Sequence, residues 1–131
     1  MKKVPYIIKQ KGLDFSWDAE SVWPLNVPTE VIAASELTWH FDIPFWWSKP
    51  DGFYDLSPRQ VLDDPKRYDY EYYQIERADT SYPIDIMWQD DRWVILDGLH
   101  RLVKLVSIEG NAQVAVRKIP RSMIPLITKQ K

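Results

Sequence analysis

The chain has 131 residues, enough for one domain with a real core and too few for a second domain of ordinary size. Its 17 Lys+Arg against 19 Asp+Glu leave a formal charge of −2, so the overall balance does not favour wrapping DNA or lying on an anionic membrane. Cysteine is absent, which excludes disulfides, thiolate metal sites and cysteine nucleophiles.

No stretch of about 20 apolar residues is present to span a bilayer. The start at Met1-Lys2-Lys3 lacks the apolar run of a signal peptide. A cytoplasmic protein with no membrane partner is the expectation. Seven Trp and seven Tyr are many for this length, and such side chains serve both cores and recognition surfaces.

Residues 1–29 carry Pro5, Pro24, Pro28 and Gly12 without a sustained apolar period. They read as an extended N-terminal arm, with one edge strand at Pro5 to Ile8 and with Trp17 and Trp23 as pins to the body. The domain proper is expected over 30–125, and 126–131 as a frayed end. Within it, Val31 to Ala34 is a short apolar run. Leu37, Trp39, Phe41 and Ile43 then alternate with Thr38, His40 and Asp42, the period-2 pattern of a half-buried strand. That strand would put His40 and Asp42 on one face. Pro44 ends it, and Phe45-Trp46-Trp47 begins an aromatic loop that closes through turn residues at Asp51-Gly52.

Ser57-Pro58 is a helix start, a hydroxyl N-cap followed by proline at the first helical position, and Asp63-Asp64-Pro65 stops that helix after about two turns. Lys66 to Ala78 contains no Gly or Pro, and Tyr68, Tyr72 and Ile75 recur at helical spacing. Ile84 to Trp88 and Arg92 to Leu96 flank Gln89-Asp90-Asp91, the layout of a β-hairpin. The second strand runs into Asp97-Gly98 and a helix from about His100 to Glu109. Leu99, Leu102, Val103 and Val106 mark its buried face, and His100, Lys104 and Ser107 its polar one. Gly110-Asn111 signals the helix end, and Val114 to Ile119 a returning strand. Strand, helix and strand in about 30 residues predict a parallel, right-handed crossover. The expected class is therefore α+β, a small mixed sheet flanked by helices.

A helix that starts straight after a glycine turn offers unpaired N–H groups and the positive end of its dipole, an arrangement that attracts anions. Asp97, Gly98, Leu99, His100, Arg101 and Lys104 are the candidate phosphate-binding residues. Arg101 is the strongest, because guanidinium forks phosphate oxygens and stays charged. Asp97 caps the helix, meets a ribose hydroxyl or holds a metal ion, with capping the default. His100, and the His40/Asp42 pair, are the candidate catalytic groups, for acid–base work or for help with Mg²⁺ near phosphates. The ordinary reading of His40 and Asp42 is a solvent-facing pair. Asp63-Asp64 and Asp90-Asp91 read as a helix terminus and a hairpin turn.

The block Ile95-Leu-Asp-Gly-Leu-His-Arg-Leu-Val-Lys104, with Gly110-Asn111, Val114 to Pro120 and Pro83-Ile84 around it, resembles the ParB/sulfiredoxin superfamily. The resemblance spans roughly residues 30–120 and is carried by Ile84 to Pro120. It implies a nucleotide, with ATP, ADP and CTP not distinguished, bound through its phosphates at the glycine turn, the helix start and the arginine; Mg²⁺ belongs to the expectation for the case that the chain is an enzyme. Sulfiredoxins place a reactive cysteine where this chain has Leu99, which excludes sulfinic-acid repair. Chromosome-partition ParB proteins continue into a helix-turn-helix, whereas about a dozen residues follow Ile119 here, so sequence-specific DNA is not an expected partner. The superfamily's free-serine kinases share the D-G-x-H-R form, but no serine pocket is visible.

The resulting expectation is a nucleotide- or phosphate-ligand-binding domain, and, as an enzyme, a phosphoryl-transferring or nucleotide-hydrolysing one. The alternatives are a non-catalytic protein-interaction module that uses the aromatic loop 45–47, and a small ParB-like nuclease.

Overall fold

Two strands joined by a two-residue turn form one side of the sheet, and a computed structural model describes this and the rest of residues 15, 17–48 and 54–128. The edge strand expected at Pro5 to Ile8 lies outside the described residues. In chain order the elements are α1 (Ala19–Val22), β1 (Thr29–Ala33), α2 (Pro58–Asp63), α3 (Asp69–Arg77), β2 (Ile84–Gln89), β3 (Arg92–Asp97), α4 (Leu99–Val103), β4 (Gln113–Lys118) and α5 (Ile124–Ile127). Short 3-10 turns cover Ala34–Glu36, Thr38–Asp42 and Arg121–Met123, and a π-helical turn, Lys104–Ile108, prolongs α4. The class is α+β. No helix among the described residues is long and apolar enough to cross a membrane.

Local chemistry explains most of these elements. Ser57 accepts from the Gln60 N–H while the Gln60 side chain accepts from the Ser57 N–H, a reciprocal capping box that starts α2 at Pro58. Asp90 and Asp91 both have positive φ, as a two-residue turn between right-twisted strands requires, so β2 and β3 close as a hairpin. Gly110, at φ +71°, ends the helix with the Asn111 N–H reaching back to the Leu105 carbonyl.

The sheet order is β1-β4-β2-β3. β4 pairs antiparallel with β1 and parallel with β2, and β2 pairs antiparallel with β3. This corrects the expected crossover: β3 and β4 are neither neighbours nor parallel, because the hairpin has already given one side of β3 to β2. β4 joins the free side of β2 instead. One face of the sheet packs Ile32, Ile84, Ile86, Val114 and Val116 against Val61, Ile75, Leu102 and Val103 of the helices. A smaller cluster joins Met87, Leu96 and Ile119 to Val22 and Ile127, so both ends of the described chain pack on the sheet. Ile127 is fully buried and Thr128 bridges to Trp17, so the chain end is anchored through 128. Trp17 donates its indole N–H to the Leu96 carbonyl and Trp23 donates to Asp97, the pinning expected of the two tryptophans.

Residues 37–43 are not a strand. They form 3-10 turns in which Leu37, His40, Phe41 and Ile43 are buried, a spacing that a two-faced strand cannot give. The alternation was misleading because this segment meets β3 through side chains. β3 is a sheet edge, and its outward groups are covered one by one. The Trp39 indole donates to the Trp93 carbonyl at 3.2 Å, and the Ile95 N–H donates to His40 Nε2 at 3.1 Å. Side chains thus occupy the positions a neighbouring strand would take. With Nε2 an acceptor, the His40 proton sits on Nδ1, which donates to the Leu37 carbonyl at 2.7 Å. Both ring nitrogens are engaged and the residue is buried, so His40 is structural. Asp42 is exposed and pairs with Arg59. The two do not converge on a common ligand.

A buried ion pair fixes the arm. Arg117 donates through Nε to Asp85 at 2.6 Å, and through its two terminal nitrogens to the carbonyls of Leu25 and Val22. All of the strong partners are thereby matched, which is what makes a charge tolerable in a core. Arg117→Ala leaves the Asp85 carboxylate buried and alone and is expected to cost about 3–5 kcal/mol in urea unfolding. Arg59→Ala, which breaks an exposed pair, should stay within about 1 kcal/mol. Equal effects in the two variants would contradict the assignment.

Burial lowers the His40 pKa from 6.5 to about 4, against the raising effect of the Leu37 hydrogen bond and with a further lowering by Arg92. Between those values the unfolded chain takes up a proton that the folded chain refuses. Stability is therefore full above about pH 6.5 and falls as pH drops towards 4, by about 3 kcal/mol over the window. The difference in urea midpoint between the protein and a His40→Gln variant, followed across this window in a His100→Ala background, separates this contribution from that of the 19 carboxylates. A flat difference from pH 6.5 to 4 would show the ring to be charged in the native state.

Candidate functional site

β3 ends at Asp97, the backbone turns at Gly98 with φ +115°, and α4 begins at Leu99. A side chain at position 98 is opposed twice. Few L-residues adopt that φ, and a Cβ would lie 3.3 Å from the Arg101 guanidinium and from Ile84. The Leu102 N–H closes the first helical bond onto the Gly98 carbonyl. The N–H groups of the residues before it point out of the helix start, as in any first turn.

Arg101 lies beneath this turn. It donates to the Pro83 carbonyl at 2.6 Å and to Asp97 at 2.8 Å, and it is largely buried. Asp97 also accepts from the Trp23 indole at 2.7 Å. Asp97 is consequently not the helix cap: Gly98 occupies that position and no side chain caps it. Lys104 is likewise committed, its ammonium donating to the carbonyls of Glu76 and Ala78 at the end of α3. A cation on those last carbonyls is favourable both as a hydrogen bond and against the helix dipole. All three of the fully charged groups expected at phosphates are therefore engaged within the fold: Asp97 and Arg101 brace the turn, and Lys104 docks α4 on α3. Leu99 packs its side chain against the main core.

His100 is different. Its Nε2 lies 3.0 Å from Glu71 of α3, and its ring stacks on Trp46 with centroids 4.3 Å apart and planes within 9°. Glu71 has 12% of its side-chain surface exposed and His100 35%, so the carboxylate is sheltered while the imidazole reaches solvent. With Nε2–H given to Glu71, Nδ1 carries the ring's lone pair, and no partner among the described residues reaches it. Trp46 is buried and holds the ring plane, as its two backbone bonds to Leu56 hold its own position. The aromatic loop thus splits: Phe45 and Trp46 belong to the interior, and Trp47 is exposed.

The arrangement is a carboxylate-oriented histidine at the first turn of a helix. Such a pair can take up and return a proton at Nδ1. Glu71 was not among the sequence candidates. Its signal was present but indirect, since a carboxylate at the border of the apolar stripe of Tyr68, Tyr72 and Ile75 acquires meaning only when α3 and α4 are known to pack. Among the described residues no three His, Asp or Glu side chains gather as a metal-binding set.

Gly98→Ala should destabilise the domain by about 1–3 kcal/mol in urea unfolding, because a strained φ and a crowded Cβ coincide. Gly110→Ala, where a Cβ meets open space, should cost only about 1–2 kcal/mol for the left-handed φ. A neutral Gly98→Ala would show that Arg101 and Ile84 yield freely.

Comparison with protein-family models, with curated proteins and with solved structures returned no match, so the functional argument stands on this site and on the Asp97-Gly-Leu-His-Arg101 block that resembles the ParB/sulfiredoxin superfamily.

Proposed function

We propose that this chain is a ParB/sulfiredoxin-type domain that binds a nucleotide or another phosphate-bearing ligand at the start of α4, with His100 as its acid–base group. The observation that carries this reading is the His100 imidazole itself: fixed by Glu71 on one nitrogen, stacked on Trp46, and presented at a helix start where anions are favoured.

In this reading the outward N–H groups of Leu99 and His100 meet the phosphate oxygens. Gly98 keeps the approach open, and Arg101 and Lys104 shape the turn and add positive charge from behind. The chemistry that fits is phosphoryl transfer to a hydroxyl or water. Nδ1 of His100 takes the proton of that oxygen as it bonds to phosphorus, the departing phosphate oxygen keeps the pair of the broken P–O bond, and Glu71 stabilises the imidazolium formed. Mg²⁺ belongs to the reading as a companion of the phosphates, the charge-neutralising role it usually has there. His40 and Asp42 have no part in it.

Thermal unfolding with ATP, ADP, CTP and GTP, each with and without Mg²⁺, tests the binding. One nucleotide should raise the transition, since a ligand at about 100 times its Kd adds nearly 3 kcal/mol. His100→Gln should retain that shift and lower phosphate release by about 100-fold or more. No shift with any of the four overturns the proposal, and undiminished turnover in His100→Gln removes the acid–base role.

A further inference from the structure

α3 turns a second face to solvent, adjoining the one that carries Ile75 into the core. Asp69, Tyr70, Tyr72, Tyr73 and Glu76 line an open depression there of about 540 Å³. Tyr70 is 71% exposed and Tyr73 57%, so two large rings stand in water beside two carboxylates. Rings and carboxylates together select one kind of group. Aromatic faces attract cations and planar groups, carboxylates accept paired N–H donors, and guanidinium alone among side chains satisfies both. The helix already shows the contact, since Arg77 lies 5.7 Å over the Tyr73 ring and Arg67 lies 5.3 Å over Tyr68.

The spacing narrows the partner further. Asp69 and Glu76 are separated by two helical turns, about 10 Å along the axis. In an extended polyproline-type chain, residues three apart fall on the same edge and lie about 9 Å from one another. We propose that the outer face of α3 docks an extended segment of a partner protein bearing two arginines three residues apart, their guanidinium groups on Asp69 and Glu76 and the backbone between them against Tyr70 and Tyr73. This surface is separate from the His100 site, because Glu71 points from the same helix towards α4.

The test is a titration of the ¹⁵N-labelled protein with the peptide acetyl-Arg-Pro-Pro-Arg-amide, next to a control peptide with citrulline in place of both arginines. Amide shifts confined to α3 and its flanks, saturating in the millimolar range or below and weakening with added salt, are expected for the arginine peptide. Asp69→Asn with Glu76→Gln, which remove charge and keep shape, should weaken it by roughly tenfold. Tyr73→Ala should weaken it as well, and an unchanged spectrum elsewhere shows that each variant is folded. The proposal is overturned by equal shifts with the citrulline peptide, by shifts that map away from α3, or by no shift at millimolar peptide.

Discussion

The Arg101 guanidinium is where the separate parts of this domain meet. It ties the residue before β2, through the Pro83 carbonyl, to the last residue of β3, through Asp97, and it packs under the α-carbon of Gly98 at the start of α4. Trp23 brings the N-terminal segment to the same carboxylate. A buried charge persists only when its donors and its counter-charge are both satisfied, and that requirement fixes the turn geometry more tightly than apolar packing would. The helix start is aimed as it is because Arg101 is anchored, and His100, one residue earlier, inherits its position from that anchor.

The same rule recurs at the other buried polar groups. His40 fills two hydrogen bonds at the edge of β3, and Arg117 fills three across β4, β2 and the arm. None of the fully buried side-chain polar atoms among the described residues lacks a partner. These contacts seal an edge strand and hold the terminal segments, work that the apolar clusters cannot do because they have no direction. Against this background a histidine with one nitrogen oriented and the other without a partner among the described residues stands out. The exposed tyrosines of α3 are a different feature, large rings at the surface beside carboxylates.

α3 links the two sites. Its Ile75 anchors the helix in the core, its Glu71 orients His100, its last carbonyls hold Lys104, and its outer stripe carries the tyrosines and carboxylates of the proposed docking face. A nine-residue helix serves four neighbours because its residues fall on distinct faces. Whatever moves α3 changes the distance between Glu71 and His100, so the docking face and the imidazole share one rigid support.

Local signals in the sequence determined the elements whose rules act within a few residues. The Ser57 cap, the Asp90-Asp91 hairpin turn, the glycine turn at Gly98 and the helix end at Gly110 are all legible there, because capping, left-handed φ and short-range periodicity need no distant partner. Longer-range outcomes were decided only by the tertiary structure. The alternation at Leu37 to Ile43 gave way to 3-10 turns because the edge of β3 offered His40 and Trp39 hydrogen bonds that lie more than 50 residues away in sequence. The parallel partner of β4 became β2 rather than β3, since strand pairing is settled by which edges remain free. The expected phosphate-binding arginine and lysine turned inward to carbonyls and a carboxylate that their positions in the sequence do not reveal, and Glu71 reached His100 only through the packing of α3 on α4. Where an ionisable side chain is spent depends on what surrounds it in space, and that is information the order of residues alone does not carry.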